Sequence, residues 1–542
     1  MNSKGIPTRS KLLILTAVMA SLLEIIDTSI VNVSIPSMMG NLGATLDEIS
    51  WVITGYIIAN AIVLPISGWL SEQFGRKHYY TACIILFTAA SVACGLSPNL
   101  TTLVVCRVLQ GLAGGALLPT SQSLIYEAFP KEQAGMASAI YGMSVMIGPT
   151  LGPTLGGYLT DHFGWRSIFN INLPVGIFVA ILSWILVEDV GFVPQTKAEK
   201  AAQVADPAAK PLPKPIRRRN PIDSLGLVLL VVGIGCIQFV LERGHAEDWF
   251  DSKLIVVCTF LGITSLIGLI FWELKTAHPI LQLKLFKNAS FTAGVTLMAG
   301  LGAMLYGLLF LVPVFVSTVF NFTATQTGEL FIPGALIAAA TMPFIGMQLR
   351  KRDPRQLIFV GIIGLSFAIY LISGFNSQTS VGGMFWPLFF RGAALAYLFV
   401  PINTTVLSQF SGLAIGQAAG MLNLCRQLGG SMAIALLGTL FQQFQVRSYS
   451  VLATHVTPFD VPALQASRAL PTLLTSKMPI SVGMGGLTRD ALKILTFRAQ
   501  KEAFVLAFSK TLFLASIAFL LCLIPLVFLK KPKQGAPIPD AH

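Results

Sequence analysis

Charge is what this chain of 542 residues has least of. Asp, Glu, Lys and Arg together make up 11%, less than half the roughly 25% typical of a soluble domain. So little charge cannot clothe the surface of a water-soluble enzyme. A disordered chain is excluded as well, because 54% of the residues are apolar. Cysteine is scarce and scattered. The seven, at positions 83, 94, 106, 236, 258, 425 and 522, all lie in apolar stretches, and none has CxxC or Cys/His spacing. Neither disulfides nor a zinc site is therefore expected. The chain also lacks a GxxxxGK[ST] phosphate loop, an HExxH motif and any obvious serine–histidine nucleophile arrangement. ATP-driven pumping within this chain and membrane-bound hydrolysis are thereby disfavoured, and no catalytic centre, metal or cofactor is expected. No small-residue cleavage site follows the first apolar run, so that run reads as a retained span.

What the sequence has in abundance is hydrocarbon. The mean hydropathy is +0.73, and runs long enough to cross a bilayer core of about 30 Å recur from end to end. Fourteen helices account for them, near 12–35, 50–71, 79–97, 100–124, 134–159, 168–187, 224–242, 254–273, 291–319, 327–348, 356–374, 384–408, 416–443 and 504–529. The expected fold class is an all-α polytopic membrane protein. The net charge of +13 is no nucleic-acid signal, because the basic residues form no groove with interleaved aromatics. They cluster in alternate loops instead: Lys4, Arg9 and Lys11; Arg76 and Lys77; Lys131; the stretch from Lys197 to Arg219; Lys275, Lys284 and Lys287; Arg350, Lys351, Arg352 and Arg355; Lys530, Lys531 and Lys533. The opposite short loops carry only Arg166, Arg243 and Lys253. This asymmetry places both termini in the cytoplasm.

The chain resembles itself at a separation near 280 residues. QGLAGGALLPTSQSL, with Gly111 and Pro119, matches RGAALAYLFVPINTTVL, with Gly392 and Pro401. QAGM at Gln133–Met136 matches QAAGM at Gln417–Met421, and Gly68, Arg76 and Lys77 match Gly346, Arg350 and Arg352. The repeat aligns helices 1–6 with helices 9–14 and leaves helices 7 and 8 as an insertion. The expected organisation is an N-terminal six-helix bundle (1–190), a cytoplasmic linker rich in Ala, Pro and basic residues (191–222), the inserted pair (223–288), a C-terminal six-helix bundle (289–530) and a cytoplasmic tail (531–542). The second bundle includes a long outer loop, 444–503, with an amphipathic stretch from Leu487 to Lys501. That loop either packs on the outer mouth or docks an extracytoplasmic partner.

Several motifs resemble those of the major facilitator superfamily. Asp27-Thr28-Ser29-Ile30-Val31-Asn32-Val33-Ser34-Ile35-Pro36 is similar to the DxTIVNVALP signature of fourteen-helix drug:proton antiporters. The run from Gly68 to Lys77 resembles the general loop signature, with Glu72 where Asp is usual; Arg107-Val108-Leu109-Gln110-Gly111 resembles the helix 4 signature. Gly142 to Gly157, with Gly148-Pro149 and Gly152-Pro153, resembles the antiporter signature of helix 5, and Trp165 to Pro174 completes the set. LERGHAEDWF and the long outer loop resemble the EmrB-type members of the EmrB/QacA branch. The resemblance implies proton-coupled export of amphipathic toxic compounds across the bacterial inner membrane by alternating access, with a periplasmic adaptor and an outer-membrane channel as partners. A dedicated exporter of a natural metabolite such as a fatty acid or siderophore, and a non-transporting receptor or scaffold, are the alternatives.

Acids inside a span cost about 2.5–3.5 kcal/mol each on insertion scales, so Glu24 and Asp27, near the middle of helix 1, need an account. Three residues apart, they share a helix face. Repulsion and lost water both disfavour two charges there, so the pair is expected to hold one proton and release it when water or a cation arrives. Arg107, inside helix 4, needs a counter-charge that Asp27 or Glu24 can supply, and the resemblance implies a proton relay. Arg391 and Arg426 are the matching oddities of the second half, as anchors or as substrate contacts. Asn32, Tyr56, Asn60, Tyr306 and Asn403 are the expected lining of a substrate cavity. Glu72, Arg76 and Lys77 are expected to hold the cytoplasmic side shut. Gly148, Pro149, Gly152 and Pro153 are expected to give a tight, bendable contact between halves.

Overall fold

Backbone N–H and C=O groups in hydrocarbon must be satisfied within their own segment, so each apolar run closes as a helix. The computed structural model describes residues 7–188, 223–276, 279–410, 412–454 and 484–529, with no strand among them. The linker 191–222, the tail 531–542 and positions 455–483 of the long loop lie outside the described residues. Fourteen helices are long and apolar enough to span a membrane: α1 (Thr8–Leu42), α2 (Leu46–Phe74), α3 (Arg76–Gly95), α4 (Leu100–Ala128), α5 (Ala134–Phe163), α6 (Ser167–Leu186), α7 (Ser224–Arg243), α8 (Lys253–Lys275), α9 (Ala289–Phe320), α10 (Thr325–Gln348), α11 (Pro354–Ser373), α12 (Val381–Leu407), α13 (Ala414–Thr454) and α14 (Thr496–Phe528).

Packing follows the internal repeat. Within α1–α6, α1 packs on α5, α2 on α4, and α3 on both α4 and α6; within α9–α14, α9 packs on α13, α10 on α12, and α11 on both α12 and α14, each pairing eight helices further on. Local chemistry repeats too. Thr45 and Glu48 form a capping box at the start of α2, and Thr323 and Gln326 form one at the start of α10. Gly111 of α4 lies against the Tyr56 carbonyl of α2, and Gly392 of α12 lies against the Gly334 carbonyl of α10, in both cases too close for any side chain. The two sets meet along two seams that the repeat exchanges, α2 with α13 and α5 with α10. The inserted α7 packs on α2 and α13, so it covers the first seam.

Charge pairs mark the two ends of the bundle. Arg9 meets Glu188 at 2.6 Å and Arg76 meets Glu127 at 2.5 Å, which joins the start of α1 and α3 to the ends of α6 and α4. This is the terminus-bearing end. At the opposite end Arg243 lies 3.7 Å from Asp47 and 3.0 Å from Glu247.

The sequence pattern underestimates α13 and α14. The helix expected to stop near 443 runs on to Thr454, and helix resumes at Met484 rather than near 504. Polar residues that forbid hydrocarbon do not forbid helix, and α13 packs on α14. Phe441 and Phe504 are 4.9 Å apart, and Lys510 Nζ donates to Ser448 Oγ at 3.3 Å. The 42 residues of the longer helix, at about 1.5 Å per residue, reach well beyond a core of about 30 Å. The two helices therefore project as a hairpin at the end opposite the termini.

At the terminus-bearing end the second seam is closed by backbone approaching backbone: a Cβ on Gly135 would lie 2.6 Å from the Gly346 carbonyl. Gly135→Val is expected to force α5 from α10 and lower stability by about 1–3 kcal/mol. A Val at Gly40, where nothing lies within 4 Å, serves as control. Thermal unfolding of both variants in detergent measures the difference.

Candidate functional site

α1 passes through the middle of the first six helices with two carboxylates. The structure gives them different surroundings. Asp27 is fully buried and faces α4 and α6: Arg107 Nη1 donates to its Oδ2 at 2.6 Å, while Gln110 Nε2 and Asn172 Nδ2 both donate to its Oδ1 at 2.8 Å. Arg107 is completed by the Gln110 Oε1 at 2.8 Å and the Val52 carbonyl at 3.2 Å, and its guanidinium lies 4.1 Å from the centre of the Tyr56 ring. Asn172 also donates to Ser91 Oγ at 2.9 Å. The counter-charge for Arg107 is thus Asp27. Gln110 and Asn172 were visible in the motif runs, but neutral amides carry no energetic flag that would single them out.

Glu24 points another way. Asn60 Nδ2 of α2 donates to its Oε1 at 2.9 Å, and across the seam its electrostatic counterpart is Arg426 of α13. Arg426 is itself buried and incomplete, with no acceptor at Nε or Nη1. Tyr141 and Tyr306 share its electrostatic field, and Tyr306 packs on Gly430. Along α1 the stripe Glu24, Thr28, Asn32, Pro36 and Gly40, spaced by four, changes from buried through half-buried to exposed. The row of side chains that begins at Glu24 and winds around α1 therefore becomes exposed toward the end opposite the termini.

Toward the terminus-bearing end, buried amides and hydroxyls join the two sets. Gln122 Nε2 of α4 donates to Asn403 Oδ1 of α12 at 2.7 Å, Asn423 Nδ2 of α13 donates to Gln122 Oε1 at 2.8 Å, and Tyr141 OH of α5 donates to Asn423 Oδ1 at 3.0 Å. Ser138 and Thr404 share a 2.6 Å hydrogen bond, and Tyr126 bonds Ser138. Gln122 and Asn403 are 281 residues apart, close to the offset of the internal repeat. Of this bolt only Asn403 was picked out by sequence, as cavity lining.

The remaining expected residues fall as follows. Tyr56 and Asn60 are buried in the Arg107 and Glu24 clusters, Tyr306 is half-buried and Asn32 is exposed. Arg76 pairs with Glu127 rather than Glu72; Glu72 is exposed and accepts from Gln417 Nε2 at 3.5 Å, and Lys77 sits 4.6 Å from the Trp184 ring centre. Gly148 and Gly152 contact Ile25 and Ser29 of α1, within one set and not between halves. Of the four, Pro153 lies near Gly328 of α10 and so faces the other half, and Pro149 is half-buried. The helix 5 signature serves two faces, and which glycine faces which helix depends on rotation that spacing alone does not give. Arg391 is buried with no acceptor at Nε, 5.4 Å from the Phe331 ring.

Arg107→Met leaves Asp27 two amide donors and no cation, a loss expected to be about 3–5 kcal/mol. Removing both charges, as in Asp27→Leu with Arg107→Met, is expected to recover much of it. Melting of the two singles and the double in detergent gives the coupling directly.

Comparison with known proteins places this geometry. Residues 17–434 match the Major Facilitator Superfamily. Fatty acid resistance protein FarB of Neisseria gonorrhoeae is 34% identical over 95% of this chain and 94% of its own length. Multidrug export protein EmrB of Escherichia coli K12 is 33% identical over 96% and 94%. Among solved structures, the human organic anion transporter MFSD10 has a TM-score of 0.55 at 13% identity, covering 97% of this chain and 100% of that one. The proton:xylose symporter XylE scores 0.55 at 14% identity, covering 92% and 95%. These relatives are transporters rather than enzymes, and they support a drug-efflux transporter built as a multi-pass membrane protein. The chain belongs to the major facilitator superfamily, among its EmrB-type resistance pumps.

Proposed function

We propose that this protein exports amphipathic toxic compounds across the bacterial inner membrane in exchange for protons, by alternating access, with both termini in the cytoplasm. The observation that carries the reading is the position of Glu24. It lies on a stripe open to the end opposite the termini, faces the incomplete Arg426 guanidinium across the seam, and sits above a bolt that closes the other end. Asp27, with a guanidinium and two amides already on it, holds α1 to α4 and α6. A proton arriving from outside neutralises Glu24. That weakens its hold on Arg426, and the halves rock so that the Gln122–Asn403–Asn423 bolt parts. Substrate from the cytoplasmic side or inner leaflet then occupies the cleft near Arg426 and Tyr306. Release of the proton inward re-forms the Glu24–Arg426 attraction and returns the cleft outward.

A narrower reading has its own support: export of amphipathic anions such as fatty acids. The unaccepted N–H groups of Arg426 suit a carboxylate, and one relative is named for fatty acid resistance. The projecting α13–α14 hairpin supports docking of a periplasmic adaptor, which leads to an outer-membrane channel. Its exposed apolar side chains Val446, Val451 and Phe497 give such a partner something to cover.

In proteoliposomes with an imposed pH gradient, Glu24→Gln is expected to abolish driven efflux of a cationic dye and of a long-chain fatty acid alike. Undiminished efflux in that variant overturns the coupling. Arg426→Gln is expected to reduce efflux of the fatty acid about tenfold or more and of the dye far less. Equal losses would refute the anion reading. Shortening the α13–α14 projection is expected to spare efflux in vesicles and abolish resistance in cells; loss of both would make the hairpin part of the bundle's own stability.

A further inference from the structure

The inserted pair is the part of the membrane domain that the repeat does not account for, and α7 bridges the repeat's two sets. Its attachment to the first set is rigid. Arg243 Nη1 donates to Ser50 Oγ at 2.5 Å and to the Asp47 carbonyl at 3.4 Å, and Phe239 stacks on Trp51 with ring centres 5.8 Å apart. Its attachment to the second set is three polar side chains. Gln238 Nε2 donates to Ser431 Oγ of α13 at 2.7 Å and to Glu242 Oε1 at 3.1 Å, and Ser431 Oγ donates to the same carboxylate oxygen at 2.8 Å. Gln238 is fully buried, yet its Oε1 has no donor.

No cation completes this set among the described residues. Arg243, next in sequence, turns to Asp47 and Glu247. On α13, Arg426 faces Glu24 and two tyrosines, and His245 approaches that helix beside Gly438. On α2 the nearby acids are Asp47, paired with Arg243, and Glu48, which caps its own helix through Thr45. On α8, Lys253 stands at the first turn and Glu273 at the far end, where it accepts from the Leu281 N–H. Glu242 therefore differs from Asp27: an acid near the end of a span, held only by neutral donors, one of them on the other half of the protein.

We propose that Glu242 is a second protonation site of the transport cycle, the proton-sensing part of a latch by which α7 grips α13 through Ser431 in one orientation of the halves and releases it in the other. The inference rests on the proton-driven alternating access proposed above. Because α7 is fixed to α2, rocking of α13 against α2 strains the Gln238–Ser431–Glu242 set. Latched, the carboxylate accepts from Ser431 and Gln238. Unlatched, it keeps only Gln238, and a charge with one neutral donor at the edge of hydrocarbon is costly, so it takes a proton from the end to which the Glu24 stripe opens. The two orientations then bind this proton differently, and such a difference is what couples a proton to a conformational change.

The test reads the carboxyl group directly. The infrared pH-difference spectrum of the purified full chain in lipid nanodiscs is expected to contain a carboxylic-acid C=O band that Glu242→Gln lacks and that Ser431→Ala shifts. In proteoliposomes under a pH gradient, Glu242→Gln is expected to slow efflux of a cationic dye about tenfold and to flatten its pH profile, and Ser431→Ala to displace that profile. Identical difference spectra in wild type and Glu242→Gln overturn the proposal. So does a band indifferent to Ser431→Ala, the variant that removes one hydroxyl and leaves the packing in place. If wild-type efflux ignores the imposed gradient while the band is present and depends on Ser431, proton antiport fails as the function and Glu242 remains a protonation site.

Discussion

A polar side chain keeps its place in hydrocarbon only when other groups complete its hydrogen bonds and balance its charge. Most of the buried polar groups in this protein meet that condition in full. Asp27 has a cation and two amides; Gln122, Asn403, Asn423 and Tyr141 complete one another across the halves. Others keep an unpartnered atom, Tyr56 OH beside Arg107 and Arg243 Nε at the end of α7 among them. Arg426, Arg391 and Gln238 each present buried polar atoms with no partner, and two of the three lie along the α2–α13 seam.

Small residues decide how close the helices come, and so which side chains can complete each other. Gly111 and Gly392 occupy equivalent crossings in the two sets, each pressed on a carbonyl of the neighbouring helix. Closeness at those crossings brings α2 near α4, and with it Tyr56 over Arg107 and the Val52 carbonyl onto its Nε. The α5–α10 seam uses the same device, backbone on backbone at Gly135 and Gly346. The α2–α13 seam uses it too, Gly420 against the Leu64 carbonyl and Gly68 against the Gln417 backbone, and adds Gln427 donating to the Ile57 carbonyl at 3.1 Å, with α7 laid across it.

The sequence discloses what is expensive. Fourteen apolar runs, the repeat and the buried charges Glu24, Asp27 and Arg107 are all readable, because each would be costly anywhere but in the place it occupies. The helical extensions of α13 and α14 are not readable from hydropathy, since they lie where water is available and apolar length no longer reports helix. Gln110, Gln122, Asn172 and Asn423 are illegible for the opposite reason. A neutral amide costs little to place, so its presence in a span does not announce a partner. Rotation is the other hidden quantity: spacing groups Gly148, Gly152 and Pro153 on one short stretch, but only the fold separates the face against α1 from the face against α10.

The same rotation separates the two carboxylates of α1. Three residues correspond to about 60° around a helix, close enough to read as one face and far enough to meet different neighbours. Asp27 turns toward α4 and α6 of its own set, where its partners travel with it through any rigid movement of the halves. Glu24 turns toward the seam, where Asn60 belongs to its own set and Arg426 to the other. A charge whose partners all move together gains and loses nothing when the halves rock, however strong the pair. Only a charge whose partners separate can exchange energy with that motion. By this criterion the fully buried pair of Asp27 with Arg107 is framework, and Glu24 and Glu242, each with a partner across the seam, are the acids on which the proposed coupling would act.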